Sequence, residues 1–360
     1  MRRWALTLLF LTALCGGAEA ARPPLGSAYV LMQNGTVVRI VLPSAQVLVR
    51  RRVGPAAPGN VEAGRFLARR EGALYALDPA SKPTLTALDA GTLTILWQRS
   101  LEADVHYRGV VLAGSRLFAY GYRSGREVGS DRLREGAAVL TAVWLDGTRA
   151  DSWTVRPAER HWWWAWWGAA APDGRTVALA WHGGCNADSG ILCTTGADLV
   201  DVSAAEPRAC PRDGSANGCV HQVHGAIEPY RGGWIATTGG EALVVLDRDG
   251  RTLRQLHSRL RDHVMSFALD TPHGRLFVLG TCYLGSHGLY AVSVATGRSR
   301  LVARHLCGSE PVLGPKGSLL AVAARNIWPS SDLVVISRSS GRVLRRASLP
   351  GGMLALLRAS

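Results

Sequence analysis

The side chains with the plainest chemical potential cluster in a few places. His161-Trp162-Trp163-Trp164-Ala165-Trp166-Trp167 sets one imidazole beside five indoles. Strict strand alternation puts Trp162, Trp164 and Trp166 on one side and Trp163 and Trp167 on the other. Such a run can form an aromatic platform for a sugar, a peptide or a planar cofactor; the plainer alternative is packing between sheets. His221-x-x-His224 is the tightest imidazole pair, and with His161 and His263 it forms a candidate transition-metal set, neutral His being a common nitrogen ligand. That spacing is not diagnostic outside a helix, and the same histidines would equally serve as hydrogen-bonding caps. Trp162, Trp164, Trp166, His106, His161, His263 and Glu310 are the candidate ligand contacts. Glu62, Asp104, Glu159 and Asp262 are further carboxylates that would act as general acids or metal ligands, or simply be solvated. No residue stands out as catalytic: the chain has no C-x-x-C-H, no P-loop and no G-x-S-x-G.

The compartment follows from the first residues. Arg2-Arg3, the apolar run Trp4–Leu14 and Ala18-Glu19-Ala20 have the order of a secretory leader, giving a signal peptide over 1–20 and one domain over 21–360. The apolar run falls well short of the roughly 20 residues that span a bilayer. We therefore expect an exported protein, periplasmic or at the cell surface. Beyond the leader stand Cys185, Cys193, Cys210, Cys219, Cys282 and Cys307, an even count that in an exported chain points to disulfides. Short loops favour 185–193 and 210–219, leaving 282–307, although six cysteines allow fifteen pairings; a zinc cluster is the rival and lacks any C-x-x-C pair. The net charge of +14 is carried almost wholly by Arg, with Lys82 and Lys316 the only lysines. The arginines form no long stripe with interleaved aromatics, so nucleic acid is not the expected partner. Their number reads as compositional bias, with weak attraction to an anionic cell surface as its consequence.

Positioning these residues requires a scaffold, and the chain repeats one. Leu85–Leu101 reads as strand, Asp89-Ala90-Gly91-Thr92 turn, and strand. Related hairpins recur at 36–50, 138–155, 197–210, 242–256, 288–303 and 332–347, with turns roughly 43 to 57 residues apart. A strand-rich repeat of that period predicts a β-propeller, here all-β with seven four-stranded blades. The fourth copy is the weakest, and six or eight blades stay open. The first copy has only one preceding strand, Ala28–Met32, and Met353–Arg358 is expected to supply its innermost strand, removing a free sheet edge.

Ala87-x-Asp89-x-x-Thr92-Leu93-x-x-x-Trp97 resembles the A-x-D-x-x-T-G-x-x-x-W docking motif of quinoprotein-dehydrogenase-like propellers, with Leu93 in the Gly place. Ala291-x-Ser293-x-x-Thr296-Gly297 and Val335-x-Ser337-x-x-Ser340-Gly341 keep its register without the Trp, and residues 262–280 resemble the repeats of YVTN-type and lactonase-like bacterial propellers. The resemblance implies the fold and a docking role for Asp89, Thr92 and Trp97. With strands A to D counted outward from the channel, His106, His161, His221, His224, His263 and His305 fall in or beside D–A connections, and His182 and His287 in B–C connections. Both kinds of connection share one face, and the six cysteines lie near it. The expected function is a monomeric, non-enzymatic binding module holding a protein or small ligand on that face, with no cofactor. The alternative is a quinoprotein-like or lactonase-like enzyme with a transition metal, calcium or pyrroloquinoline quinone (PQQ) at the channel mouth.

Overall fold

The computed structural model describes residues 26–55, 65–80, 82–128, 133–148, 150–156, 163–183, 194–209, 220–221, 223–238, 242–257, 267–279, 288–304, 311–314, 318–325, 330–348 and 353–358. The alternating, β-branched-rich runs form antiparallel strands, and each run of four folds into a meandering sheet. Thr84–Asp89 and Ile95–Ser100 are the outer two strands of one such sheet, behind Leu67–Arg70 and Ala73–Asp78. In the first sheet Met353–Arg358 lies innermost and pairs with Gly26–Met32, Tyr29 opposite Leu357 and Val30 opposite Leu356. The innermost strands touch in turn: Met353–Arg358, Leu67–Arg70, Val105–Ala113, Trp163–Ala170 and Val223–Tyr230. Phe267 of the next innermost strand shares a buried cluster with Val223 and Ile227. Phe267–Asp270 then meets Val312–Leu313, which returns to Met353–Arg358 and closes a β-propeller around a central channel. Among the described residues no helix is long and apolar enough to cross a membrane.

Seven equal four-stranded blades is a count that needs correcting. The described residues give six four-stranded blades, whereas the sheet that begins at Trp163–Ala170 is five-stranded and irregular. Its third strand, Thr194–Asp201, carries two short pairings, Arg208–Ala209 and Val220–His221, where a regular blade has one outer strand. The local sequence explains this. Pro207 immediately precedes Arg208–Ala209, and a residue without an N–H cannot extend the ladder. The weakest sequence repeat is therefore the place where the blade pattern fails.

The core lies between blades. One buried cluster joins Tyr29 and Val37 of the first sheet to Phe66, Leu77 and Leu88 of the second and Tyr107 and Leu117 of the third. Trp97 docks in the manner the motif implies: its Nε1–H donates to Leu145 O of the next blade at 2.8 Å. Asp89 Oδ1 accepts from the amides of Gly91 and Thr92 and from the Thr92 hydroxyl. These bonds, the Thr92 amide first, hold its carboxyl below the usual carboxylate range. Leu93 adopts φ +57°, in the same left-handed slot as Gly297 (+71°) and Gly341 (+73°). A non-glycine residue there costs about 1–2 kcal/mol. Full burial of a leucine side chain returns about 1.5–3 kcal/mol, and Leu93 is fully buried, so the departure from glycine is affordable.

Arginine has a structural role that composition alone does not reveal. Arg51 Nε donates to Leu93 O of the next blade at 3.1 Å, Arg99 Nε to Gly147 O at 3.1 Å, and Arg254 Nη1 to Ala295 O at 2.7 Å. Arg116 reaches Val202 O, and Arg70 reaches Gly114 O. Each ties one blade to a turn of its neighbour. Reading the arginines as compositional bias is thus corrected for these residues: a guanidinium spans the gap and satisfies turn carbonyls that no strand pairing reaches.

Gly147 (φ +75°) lies under Trp97, where an added Cβ would stand 2.7 Å from the indole; Gly232 (φ +80°) faces open space. We predict that Gly232→Ala costs only its left-handed strain, about 1–2 kcal/mol. Gly147→Ala adds an overpacking cost of about 1–3 kcal/mol. Denaturant midpoints of the two variants check this; equal losses would contradict the docking account.

Candidate functional site

A cavity of about 460 Å³ opens among the innermost strands, bordered by residues such as Leu67, Val110, Phe267 and Leu313. A polar group forms part of that border. Arg65, just ahead of Leu67–Arg70, pairs with Glu228 of Val223–Tyr230, donates from Nη1 to Gly168 O at 3.2 Å, and lies over the Trp167 ring at 4.1 Å. Trp167 Nε1–H donates to Ile227 O at 3.1 Å and lies 3.2 Å from Glu228 Oε1. Arg65, Trp167 and Glu228 thus lash three blades together at the channel wall. Trp167 is 5% exposed, and a guanidinium covers one ring face. Among the described residues this set does not fit a planar quinone: its indole is already stacked and its carboxylate is committed to Arg65.

The backbone register between Trp163–Ala170 and Thr176–Gly183 shifts between Ala165 and Trp167, so the strand carrying the Trp run is irregular there. Trp164 stands opposite His182 in the ladder. Trp167 is placed between blades, in the packing role. His221 and His224 are divided between sheets: His221 sits opposite Gly196 on the irregular sheet, and His224 belongs to the innermost strand of the next blade. His161, Trp162, His263, Glu310 and all six cysteines lie outside the described residues. So do Glu62, Glu159, Asp262, His287, His305 and the leader. Among the described residues no three His, Cys, Asp or Glu side chains come together as a metal site.

On the D–A and B–C face, the best-built group is at the start of Val105–Ala113. His106 is exposed and stacks on Tyr122 of the adjoining strand, ring centroids 4.9 Å apart and planes 26° from parallel. Arg108 lies 5.8 Å from the same ring. Beside them Arg123 pairs with Glu102 and, at 2.7 Å, with Asp104. Burial works to lower the Arg123 pKa, but its carboxylate partners outweigh it and hold the guanidinium above its ordinary value. His106 and Asp104, both candidates from sequence, are therefore brought together; Arg108, Tyr122 and Arg123 were missed. The alternation of polar residues along His106-Tyr107-Arg108 was the available signal.

No family profile and no curated protein sequence matches the chain. Solved structures do. AztD from Citrobacter koseri superposes with a TM-score of 0.55 at 12% identity, covering 92% of this chain and 96% of that one. The dihydro-heme d1 dehydrogenase NirN, in complex with DHE, gives 0.53 at 11%, covering 92% and 75%. A chain of the mitotic checkpoint complex gives 0.54 at 11%, covering 82% of each. The likeness is one of fold. It bears out the quinoprotein-like propeller resemblance at that level.

Asp78 closes the second strand of the second blade at this same face and is 1% exposed. Its Oδ1 accepts from the Ala80 amide at 3.1 Å, while Oδ2 is buried against Gly54 without a hydrogen bond among the described residues. Burial pushes its pKa up to about 6, partly offset by the Ala80 amide and Arg52. The folded carboxyl binds its proton more tightly than the unfolded chain does. Stability from this group is therefore gained as pH falls from 7 toward 4 and lost as pH rises through about 6. We expect the protein to be about 1 kcal/mol more stable at pH 5 than at pH 7 on this account. Asp78→Asn should flatten the difference between denaturant midpoints at the two pH values; an unchanged slope would contradict it.

Proposed function

We propose that the chain is an exported, non-enzymatic propeller that binds a protein or small ligand on the face formed by its D–A and B–C connections. The observation that carries this reading is the stack of exposed His106 on half-buried Tyr122, with Arg108 5.8 Å from the phenol ring and Arg123 held nearby between Glu102 and Asp104. A stacked imidazole and phenol beside the Arg108 guanidinium suit a planar group, and rigid aromatics give contact area at low entropic cost. His106 stands near the start of an innermost strand, and in a propeller such strands line the channel. His161, His263, Glu310, Trp162, Trp164 and Trp166 would extend the surface, and disulfides 185–193, 210–219 and 282–307 would brace its loops. Related folds hold ligands: NirN is described in complex with DHE.

A photo-crosslinking amino acid at position 106 of the exported protein should capture a partner that the same group at Leu253, on an outermost strand, does not. Metal analysis and an absorption spectrum of the purified protein should show neither stoichiometric metal nor a chromophore. Equal capture from both positions overturns the binding face. A stoichiometric quinone, haem, calcium or transition metal overturns the non-enzymatic reading.

A further inference from the structure

The opposite face carries a group that neither the blade-docking scheme nor the binding face uses. Asp270 ends the innermost strand Phe267–Asp270 and is 2% exposed. Its Oδ1 lies 2.9 Å from His273 Nδ1, and its Oδ2 lies 3.1 Å from Arg338 Nη1 and 3.6 Å from Arg275 Nη2. The three partners come from different places. His273 belongs to the short helical turn Thr271–His273, Arg275 begins the following strand, and Arg338 follows Ser337 in a turn of the next blade.

We propose that Asp270, His273, Arg275 and Arg338 form a receptor for a phosphate-like oxyanion. A carboxylate can engage only one edge of each partner, so it orients the rest of each ring or guanidinium away from itself. The imidazole keeps its second nitrogen, and each guanidinium has five N–H donors. His273 and Arg275 side chains are 57% and 37% exposed, and Arg338 is 19% exposed. Arg275 Nε and Asp270 Oδ2 are both buried without a hydrogen bond among the described residues, although Oδ2 lies within ion-pair distance of Arg338. Two guanidiniums and an imidazole around one carboxylate leave excess positive potential. Donors from three separate segments suit a multi-oxygen anion; a planar carboxylate would be satisfied by one guanidinium.

Blade docking alone does not explain this group. At other junctions an arginine donates to a turn carbonyl, as Arg51, Arg99 and Arg254 do, and among the described residues these three form no ion pair with a buried carboxylate. Pro272 and the left-handed Gly274 (φ +57°) fix the turn that presents His273, so the donors are arranged before a ligand arrives. The same chemistry is offered by a free phosphate ester and by an anionic lipid headgroup.

Inorganic phosphate titrated into the full chain by calorimetry, and sedimentation with phosphatidylglycerol vesicles against phosphatidylcholine vesicles, separate the two sources. Saturable phosphate binding marks a free anion; selective sedimentation with phosphatidylglycerol marks a headgroup. In either case Arg338→Gln and Arg275→Gln should each weaken binding about tenfold or more, with the wild-type circular dichroism spectrum retained. Arg345→Gln, on an exposed outermost strand, should leave binding unchanged. Binding to neither probe, or equal weakening by Arg345→Gln and Arg338→Gln, overturns the proposal. His273→Gln supplies a variant that leaves the Asp270–Arg338 contact in place and should still weaken binding.

Discussion

The pairing of Gly26–Met32 with Met353–Arg358 is the constraint on which everything else in this structure rests. A propeller's blades are sheets with polar edges and apolar faces, and each face is covered only by its neighbour. Without the last strand, the first blade would present Ala28, Tyr29 and Val30 backbone groups unpaired at the channel, and the ring would have a gap. Closure also sets the spacing at which the innermost strands line the cavity and at which Arg65 can reach Glu228. The geometry of the site is therefore a property of the closed ring and of no single blade.

Within the ring, blades are held by apolar burial and by a distributed set of directional ties. Trp97 on Leu145, Tyr29 on Ala90 and the arginines on neighbouring turn carbonyls act at different junctions. Individually such bonds contribute modestly, about 0.5–3 kcal/mol each. Their value is specificity of register, because a guanidinium reaches only the carbonyl opposite it. The high arginine content acquires a physical meaning in this way, since several guanidiniums serve as donors to neighbouring blades.

Much of the scaffold was legible in the sequence because its signals are local. Asp89, Thr92 and Trp97 stand within nine residues, and the closing strand was recognisable from an unpaired first hairpin. The irregular sheet has a local signal in Pro207, but the number of strands that pair there depends on long-range contacts. Trp167 could not be separated from its neighbours, since the register shift after Ala165 depends on pairing with Thr176–Gly183. The Asp270 group was invisible for a related reason: Arg338 lies far along the chain, and only blade-to-blade contact brings it to the carboxylate. Side chains that act across blades leave no spacing rule behind.

The two faces consequently read differently. One carries the exposed stack at His106 and the long connections; the other carries short turns and the cationic group around Asp270. Both depend on the ring being shut. The most direct measurement is equilibrium unfolding of a chain ending at Gly352, compared with the full-length protein. The account predicts that loss of Met353–Arg358 abolishes the single cooperative transition and the near-ultraviolet tryptophan signal. A shortened chain that unfolds at the same midpoint and with the same slope would contradict it.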